Sequence, residues 1–133
     1  SGTIYLEPVA QGRPRFSTRG RFIQVYDPPK SKEFKESVRK LVEKREQLID
    51  TPIEVVYRIY RSIPKSTSKK NAELMEQGVV LPTKKPDWDN YAKGLQDALN
   101  EWLWTDDALI CNAHVIKRYS KTPRIEYEVH SLA

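Results

Sequence analysis

The sequence has very little of what marks a secreted, membrane-spanning or thiol-dependent protein. Cysteine occurs once in 133 residues, at Cys111, which excludes a disulfide framework and a thiolate zinc site. The longest apolar run is four residues, Ala108 to Cys111, whereas a membrane-spanning helix needs about 18. We therefore expect a soluble, cytoplasmic protein in which Cys111 is a buried, inert thiol. Ser1 and Gly2 resemble an expression remnant, and no signal peptide follows them.

No internal repeat, low-complexity tract or interdomain linker divides the chain. Its length suits one domain that can bury a core without disulfides or structural metals. Apolar residues make up 38% and charged residues 31% of the chain, which is typical of a folded globular protein rather than a disordered one. We therefore expect a single domain over residues 1–133.

The charge is unevenly distributed along the chain. Lysine and arginine number 23 against 18 acidic residues, which gives a net charge of +5 and suits a polyanionic partner. Residues 12–21 contain no acid but four arginines, Arg13, Arg15, Arg19 and Arg21. Guanidinium groups can bind phosphate oxygens in pairs, so this segment is a candidate DNA-binding loop. The alternative is an ordinary solvated basic loop.

The spacing of apolar residues predicts an α/β fold. Alternation predicts strands at 3–8, 53–60, 108–118 and 124–130, and residues 21–26 form a candidate partner for the first strand. Helical spacing predicts helices at 31–49, 69–77 and 89–102, the first capped by Ser31 and the second stopped by Gly78. We expect one mixed β-sheet flanked by helices, in an order that these patterns do not determine.

Two carboxylates stand where the third predicted helix begins, in the stretch KKPDWDNYAKGLQDAL at residues 84–99. In one interpretation Asp89 is the helix N-cap and forms an i,i+4 pair with Lys93. In the other, Asp87 and Asp89 point to the same side of an extended segment, where their repulsion is tolerable if a divalent cation lies between them. Oxygen ligands without a nearby His or Cys favour Mg²⁺ or Mn²⁺.

A second acidic pair, Asp106 and Asp107, follows the same helix. The predicted strand that starts after Asp107 can return a third carboxylate to the sheet end where Asp87 and Asp89 lie. Three acids and a lysine suit phosphoryl transfer, because a metal can activate water while Lys93 stabilises the developing negative charge.

These residues together resemble the RusA family of Holliday junction resolvases. The similarity runs from residue 4 to 129 and includes GRPRF near the start, KKPDWDNYAKGLQDALN, the acid pair of DDALI, and SKTPRIEYEV. Its centre is the signature D-x-D-N-x-x-K-x-x-x-D-A-L followed by D-D. The resemblance implies a homodimeric, Mg²⁺-dependent endonuclease that nicks opposed strands of four-way DNA junctions, from a bacterial or prophage source.

Position by position, the resemblance assigns metal binding to Asp87, Asp89 and Asp107 and a catalytic role to Lys93, with Asp106 as the alternative third ligand. Four further lysines are candidate contacts for the DNA backbone, or else solvent-facing charges: Lys69, Lys70, Lys84 and Lys85. Two other functions stay open: a nucleic-acid-binding module in which the acids only cap helices, and a metal-dependent nuclease acting on RNA or other branched DNA. Trp88 is the best candidate for base stacking.

Overall fold

The computed structural model describes residues 1–10, 15–17, 24–26 and 29–133. Its elements in chain order are β1 (Gly2–Ile4), β2 (Arg15–Ser17), β3 (Gln24–Tyr26), α1 (Pro29–Leu41), β4 (Ile53–Ser62), α2 (Lys69–Glu76), α3 (Trp88–Leu99), a short 3₁₀ helix (Asp107–Leu109), β5 (Ile110–Ser120) and β6 (Arg124–Ser131). The predicted α/β class is confirmed. None of the described helices has the length and apolar content needed to cross a lipid bilayer.

Four strands form one mixed sheet in the order β1-β6-β4-β5. β4 pairs with β5 in parallel and with β6 antiparallel, and β1 pairs with β6. All four strands were predicted, although β1 ends four residues earlier than expected. The expected pairing of residues 21–26 with the first strand is wrong, because β3 pairs with β2 in a separate two-stranded sheet.

One face of the sheet is buried against α1 and α3. In β4 every second residue from Ile53 to Ile59 is buried, and the same core contains side chains of both helices, among them Phe34, Val38, Leu95 and Leu99. The opposite face is partly exposed and carries ion pairs such as Arg58 with Glu128. Alternation therefore predicted correctly which face of β4 packs.

The helices predicted at 31–49 and 89–102 end earlier than their apolar spacing suggested, at Leu41 and Leu99. α1 stops at Leu41, because the backbone N–H groups of Arg45 and Ile49 donate instead to Trp102 and Leu103 in the turn after α3. Its start also differs, since the helix begins at Pro29 and Ser31 lies inside it. α2 agrees with expectation, ending just before Gly78, whose φ of +80° lies in the left-handed region that glycine adopts without strain.

Two small residues lie in places that the sequence did not suggest. Cys111 is exposed, not buried, because it lies among the exposed first residues of β5, an edge strand of the sheet. Gly2 is part of β1 and pairs with Tyr127. A Cβ atom at Gly2 would lie 2.6 Å from the Tyr127 hydroxyl oxygen, so a larger residue there would require the Tyr127 side chain to shift.

Candidate active site

Asp87 and Asp89 lie at the start of α3. Asp87 is the N-cap residue, with extended backbone angles, but its side chain makes no capping hydrogen bond. Asp89 lies in the first helical turn, so the alternative that it serves as the N-cap is wrong by two residues. The carboxylate of Asp87 is exposed and is not used to start the helix, which leaves it available for another partner.

The two faces of α3 differ as predicted. Its buried residues are Tyr91, Ala92, Gly94, Leu95, Ala98 and Leu99. The opposite stripe carries Asp89, Lys93 and Asp97 at four-residue intervals, with Lys93 and Asp97 exposed. The ion pairs of the described residues include Asp97 with Lys35 at 3.9 Å but not Asp89 with Lys93. Lys93 therefore has no described role in holding the helix together.

Two basic side chains of the sheet bind the segment before Asp87. Lys117 Nζ on β5 donates to the carbonyl oxygens of Pro86 at 2.9 Å and Lys84 at 3.3 Å. Arg61, near the end of β4, donates to the carbonyl oxygen of Lys85 at 3.3 Å. These contacts place the loop before Asp87 beside the carboxyl-terminal halves of β4 and β5. Basic side chains near a carboxylate help a phosphate to approach it.

The structure distinguishes clearly between the two acids that follow α3. Asp106 is exposed, and its Oδ1 accepts from the Ala108 N–H at 3.0 Å as the cap of the 3₁₀ helix. Asp107 is half-buried, and its Oδ1 accepts from the indole Nε1 of Trp104 at 2.7 Å. Trp104 is completely buried. Asp107 therefore has a fixed orientation with its other oxygen unused by that bond, which favours Asp107 over Asp106 as a ligand.

Trp104 is held in place by the turn that closes α3. Glu101 in that turn has a φ of +60°, a conformation that glycine more often supplies. Arg39 of α1 donates from Nε to the Ala98 carbonyl and from Nη2 to the Asn100 carbonyl, both at 2.9 Å. Trp104 itself forms isolated bridges with Ile49 and Asn100. The turn after α3 contains no glycine, and it is compact because Arg39 of α1 binds two of the carbonyl groups at the end of α3.

The surroundings of Asp107 oppose its ionisation. Burial is the largest effect and raises the pKa of Asp107, the Trp104 hydrogen bond lowers it, and the charges of Asp106 and Asp97 raise it further. The buried hydroxyl of Tyr57 has no hydrogen-bond partner among the described residues, and burial followed by the charge of Asp107 raises its pKa. A carboxylate in this position gains from any cation that binds it.

Asp107 should therefore destabilise the metal-free fold at neutral pH. Because its pKa is raised above the ordinary 3.8, the folded chain binds the proton more tightly than the unfolded chain does, and stability falls as the pH rises through the raised pKa. Asp107→Asn, which can still accept from Trp104, should be more stable than wild type at pH 7, and the difference should vanish at acidic pH. Urea unfolding across about pH 4–8 measures this.

Asp106→Asn is the matched control for that experiment. Asp106 is exposed, and asparagine keeps the acceptor that caps the 3₁₀ helix. A pH-dependent gain of equal size in Asp106→Asn would show that burial of Asp107 is not its cause.

The three predicted metal ligands do not form a metal-binding cluster in the described part of the chain, where no group of three or more His, Cys, Asp or Glu is arranged to hold a metal ion. The charge of Asp97 raises the pKa of Asp107, and Asp97 lies eight residues, or about 12 Å along α3, beyond Asp89. The charge of Asp107 also raises the pKa of Tyr57, in the middle of β4. The convergence of Asp87, Asp89 and Asp107 at one sheet end therefore stays a prediction, and the three carboxylates are ligands of the type that Mg²⁺ prefers.

Several residues around these acids were not predicted as members of a site. Trp104 orients Asp107, Asp97 extends the acidic stripe, and Lys117 holds the loop before Asp87. Asp97 could have been found from the sequence, since it follows Asp89 by eight residues and so shares its stripe. Trp104 and Lys117 could not, because each acts through a contact between separate elements.

The predicted DNA-binding residues are only partly described. Lys69 and Lys70 are exposed in the first turn of α2, and Lys84 and Lys85 are exposed in the loop before Asp87. Arg13, Arg19 and Arg21 lie outside the described residues, and Arg15 is described only as the first backbone position of β2. The prediction for the arginine loop therefore stays a prediction.

Trp88 differs from the other tryptophans in its exposure. Its side chain is 57% exposed and lines a shallow hollow with Ala113, His114, Val115 and Ile116 of β5. Trp102, by contrast, donates from Nε1 to the Val42 carbonyl at 2.7 Å. Of the three, Trp88 is therefore the one free to contact a partner.

Comparison with known proteins gives a consistent result. The chain is 43% identical over 135 residues to the uncharacterized protein YqaN of Bacillus subtilis strain 168, covering 98% of this chain and 95% of that protein. Residues 6–130 match the family model described as endodeoxyribonuclease RusA. The match includes three of the four strands of the mixed sheet, β4, β5 and nearly all of β6, and every candidate acid, so the chain belongs to the RusA endodeoxyribonuclease family.

Proposed function

We propose that the protein is a Mg²⁺-dependent, structure-selective endonuclease that resolves four-way DNA junctions by hydrolysing paired phosphodiester bonds. The observation that carries this proposal is the pair Asp87 and Asp89 at the start of α3. Asp87 makes no capping bond, and the loop before it is lined by Lys84, Lys85 and the anchoring Lys117. Carboxylates inside a basic surface suit a site that takes up a cation and a phosphate together.

The residues of this chain have distinct roles in the proposed site. Asp87, Asp89 and Asp107 would hold the cation, which supplies charge neutralisation at the phosphate and a water of lowered pKa. Mn²⁺ could substitute because it prefers the same oxygen ligands. Lys93, exposed on the same stripe as Asp89, would stabilise negative charge on the reacting phosphate. Trp104 keeps Asp107 in one orientation.

The proposed enzyme acts as a homodimer. A four-way junction presents two equivalent strands, and a two-fold dimer matches that symmetry. The exposed lysines Lys69, Lys70, Lys84 and Lys85 would contact the backbones of the junction arms.

The proposal is tested by incubating the protein with a labelled four-way junction, a duplex of the same sequence and a flap substrate. We expect symmetric nicks in the junction only, and only when Mg²⁺ or Mn²⁺ is present. Junction binding should weaken with salt, with a log-log slope of about −0.9 per phosphate neutralised on duplex arms.

Other outcomes point to the two alternatives. Equal cleavage of the flap or of RNA would show that the enzyme is a metal-dependent nuclease that is not selective for four-way junctions. Tight, salt-dependent binding without cleavage in either metal would favour a nucleic-acid-binding module.

A further inference from the structure

Lys117 is a basic residue on the face of the sheet that packs against the helices. In the parallel pair of β4 and β5 it is level with Ile59, whose side chain belongs to the buried core. Residues that are level with each other in neighbouring strands point to the same face of the sheet. Lys117 is half-buried there. An ammonium group is seldom placed on such a face unless its donors are satisfied.

Backbone oxygens, rather than an acid, satisfy the ammonium group of Lys117. Its Nζ donates to the Pro86 carbonyl at 2.9 Å and to the Lys84 carbonyl at 3.3 Å. No ion pair of the described residues includes Lys117. The side chain therefore orients a stretch of backbone instead of neutralising a negative charge.

Arg61 binds the carbonyl group that lies between these two. Its Nη1 donates to the Lys85 carbonyl at 3.3 Å, and its guanidinium lies 5.8 Å from the ring centre of Tyr119, two residues after Lys117 on β5. Three consecutive carbonyl groups, those of residues 84–86, are thus bound by side chains of two adjacent strands. The backbone directly before α3 is held to the sheet at each of these residues.

Asp87 follows the bound carbonyl groups directly. Its side chain is exposed and makes no capping hydrogen bond, and no ion pair of the described residues includes it. The position of its carboxylate therefore depends on the path of the backbone before it. This dependence matters for a metal ligand, because a cation requires its ligand oxygens within about 0.2 Å of their ideal distances. A lysine that contacts phosphate, by contrast, reaches it on a flexible stem.

We propose that Lys117 is a positioning residue of the candidate active site: by binding the Lys84 and Pro86 carbonyl groups, it places the Asp87 carboxylate where it can hold a divalent cation. The proposal rests on the proposed function and adds to it a residue that touches neither the cation nor the DNA. Groups that orient a ligand in this way typically contribute about 10–100-fold to metal affinity. Arg61 assists through its single, longer contact.

Limited trypsin digestion of the metal-free, folded protein tests whether Lys117 holds the loop. Lys117→Met keeps the aliphatic stem and removes the donor, so the segment should open more often. Cleavage between Lys84 and Lys85, identified by mass spectrometry, should become at least about 10-fold faster, while the melting temperature stays within about 3 °C of wild type. Lys121→Met, exposed just after β5, is the matched control and should be cut as wild type is.

Mg²⁺ titration tests the consequence for the site. The rise in melting temperature should need at least about 10-fold more Mg²⁺ in Lys117→Met than in wild type, and junction cleavage should need the same excess. At saturating Mg²⁺ the cleavage rate should recover to within about five-fold of wild type, because Lys117 takes no part in the reaction itself. Junction affinity without Mg²⁺ should change less than about three-fold. Lys117→Arg keeps a cationic donor and should resemble wild type.

Three results would overturn this role of Lys117 alone. One is wild-type Mg²⁺ dependence in Lys117→Met, whether or not trypsin cuts the loop faster. Another is a loss of cleavage that excess Mg²⁺ does not restore, because it would make Lys117 a DNA contact or a catalytic group. If Lys117→Met does not fold, Arg61→Met, which removes the 3.3 Å contact with Lys85, should shift both readouts in the same direction by a smaller factor, and wild-type values in that variant are the third.

Failure of the proposed function gives a different result. A wild-type protein that shows neither stabilisation by Mg²⁺ nor junction cleavage overturns the proposed function and the positioning role with it. A wild type that shows both, beside a Lys117→Met variant that matches it, overturns the positioning role while the proposed function stands.

Discussion

Asp87→Asn is expected to abolish cleavage of a four-way junction while leaving the protein folded and able to bind DNA. Asp87 is exposed and makes no capping bond, so its carboxylate contributes nothing described to the helix start. Removing its negative charge also reduces repulsion from Asp89 and from an approaching phosphate. We expect cleavage to fall at least about 1,000-fold, the scale of losing one member of a catalytic group. Thermal unfolding and junction binding should be unchanged or stronger.

The same experiment on the other acids tests them as one site. Asp89→Asn and Asp107→Asn should lose cleavage to the same extent, and each should also lose the rise in melting temperature that Mg²⁺ gives the wild type. Asp106→Asn is the matched control and should retain most activity, because Asp106 only caps the 3₁₀ helix. Activity lost in Asp106→Asn but kept in Asp107→Asn would show that Asp106, not Asp107, is the third metal ligand. Full activity in all four variants would contradict the metal-nuclease proposal.

Lys93→Ala is expected to separate catalysis from stability. Lys93 is exposed on α3 and belongs to no described ion pair, so its loss should change the free energy of unfolding by no more than about 0.5 kcal/mol. If its ammonium stabilises charge that develops only in the transition state, single-turnover cleavage should fall about 100-fold with little change in junction affinity.

The control for Lys93 is a lysine of similar exposure on another helix. Lys40→Ala removes an exposed lysine from the last turn of α1 and should leave the cleavage rate unchanged. If Lys93→Ala weakens junction binding without slowing cleavage of bound DNA, Lys93 is a phosphate contact rather than a catalytic group.

Local sequence patterns predicted those parts of the fold in which each residue responds mainly to its chain neighbours. Alternation from Ile53 to Ile59 predicted the buried face of β4, and helical spacing predicted the buried and charged faces of α3. Helix ends were predicted less well. α1 ends at Leu41 because a turn distant in sequence takes the backbone donors of residues 45 and 49.

The pattern of acids was also visible in the sequence, but their positions were not. The signature around Asp87, Asp89 and Lys93 led to the family that the comparison then confirmed. The expectation that Asp107 joins them at one sheet end stays a prediction, because Asp107 lies in the 3₁₀ helix before β5 and its position relative to α3 depends on long-range packing. Strand direction depends on long-range pairing, which no local spacing reveals.

The sequence by itself determined the α/β class and the acidic and basic composition of the candidate site. Only the tertiary structure decided that Cys111 is exposed, that Trp104 holds Asp107 and that Lys117 holds the loop before Asp87. The reason is physical. Composition and periodicity follow from covalent order, whereas burial, strand order and the hydrogen bonds of a site arise between elements that packing alone brings together.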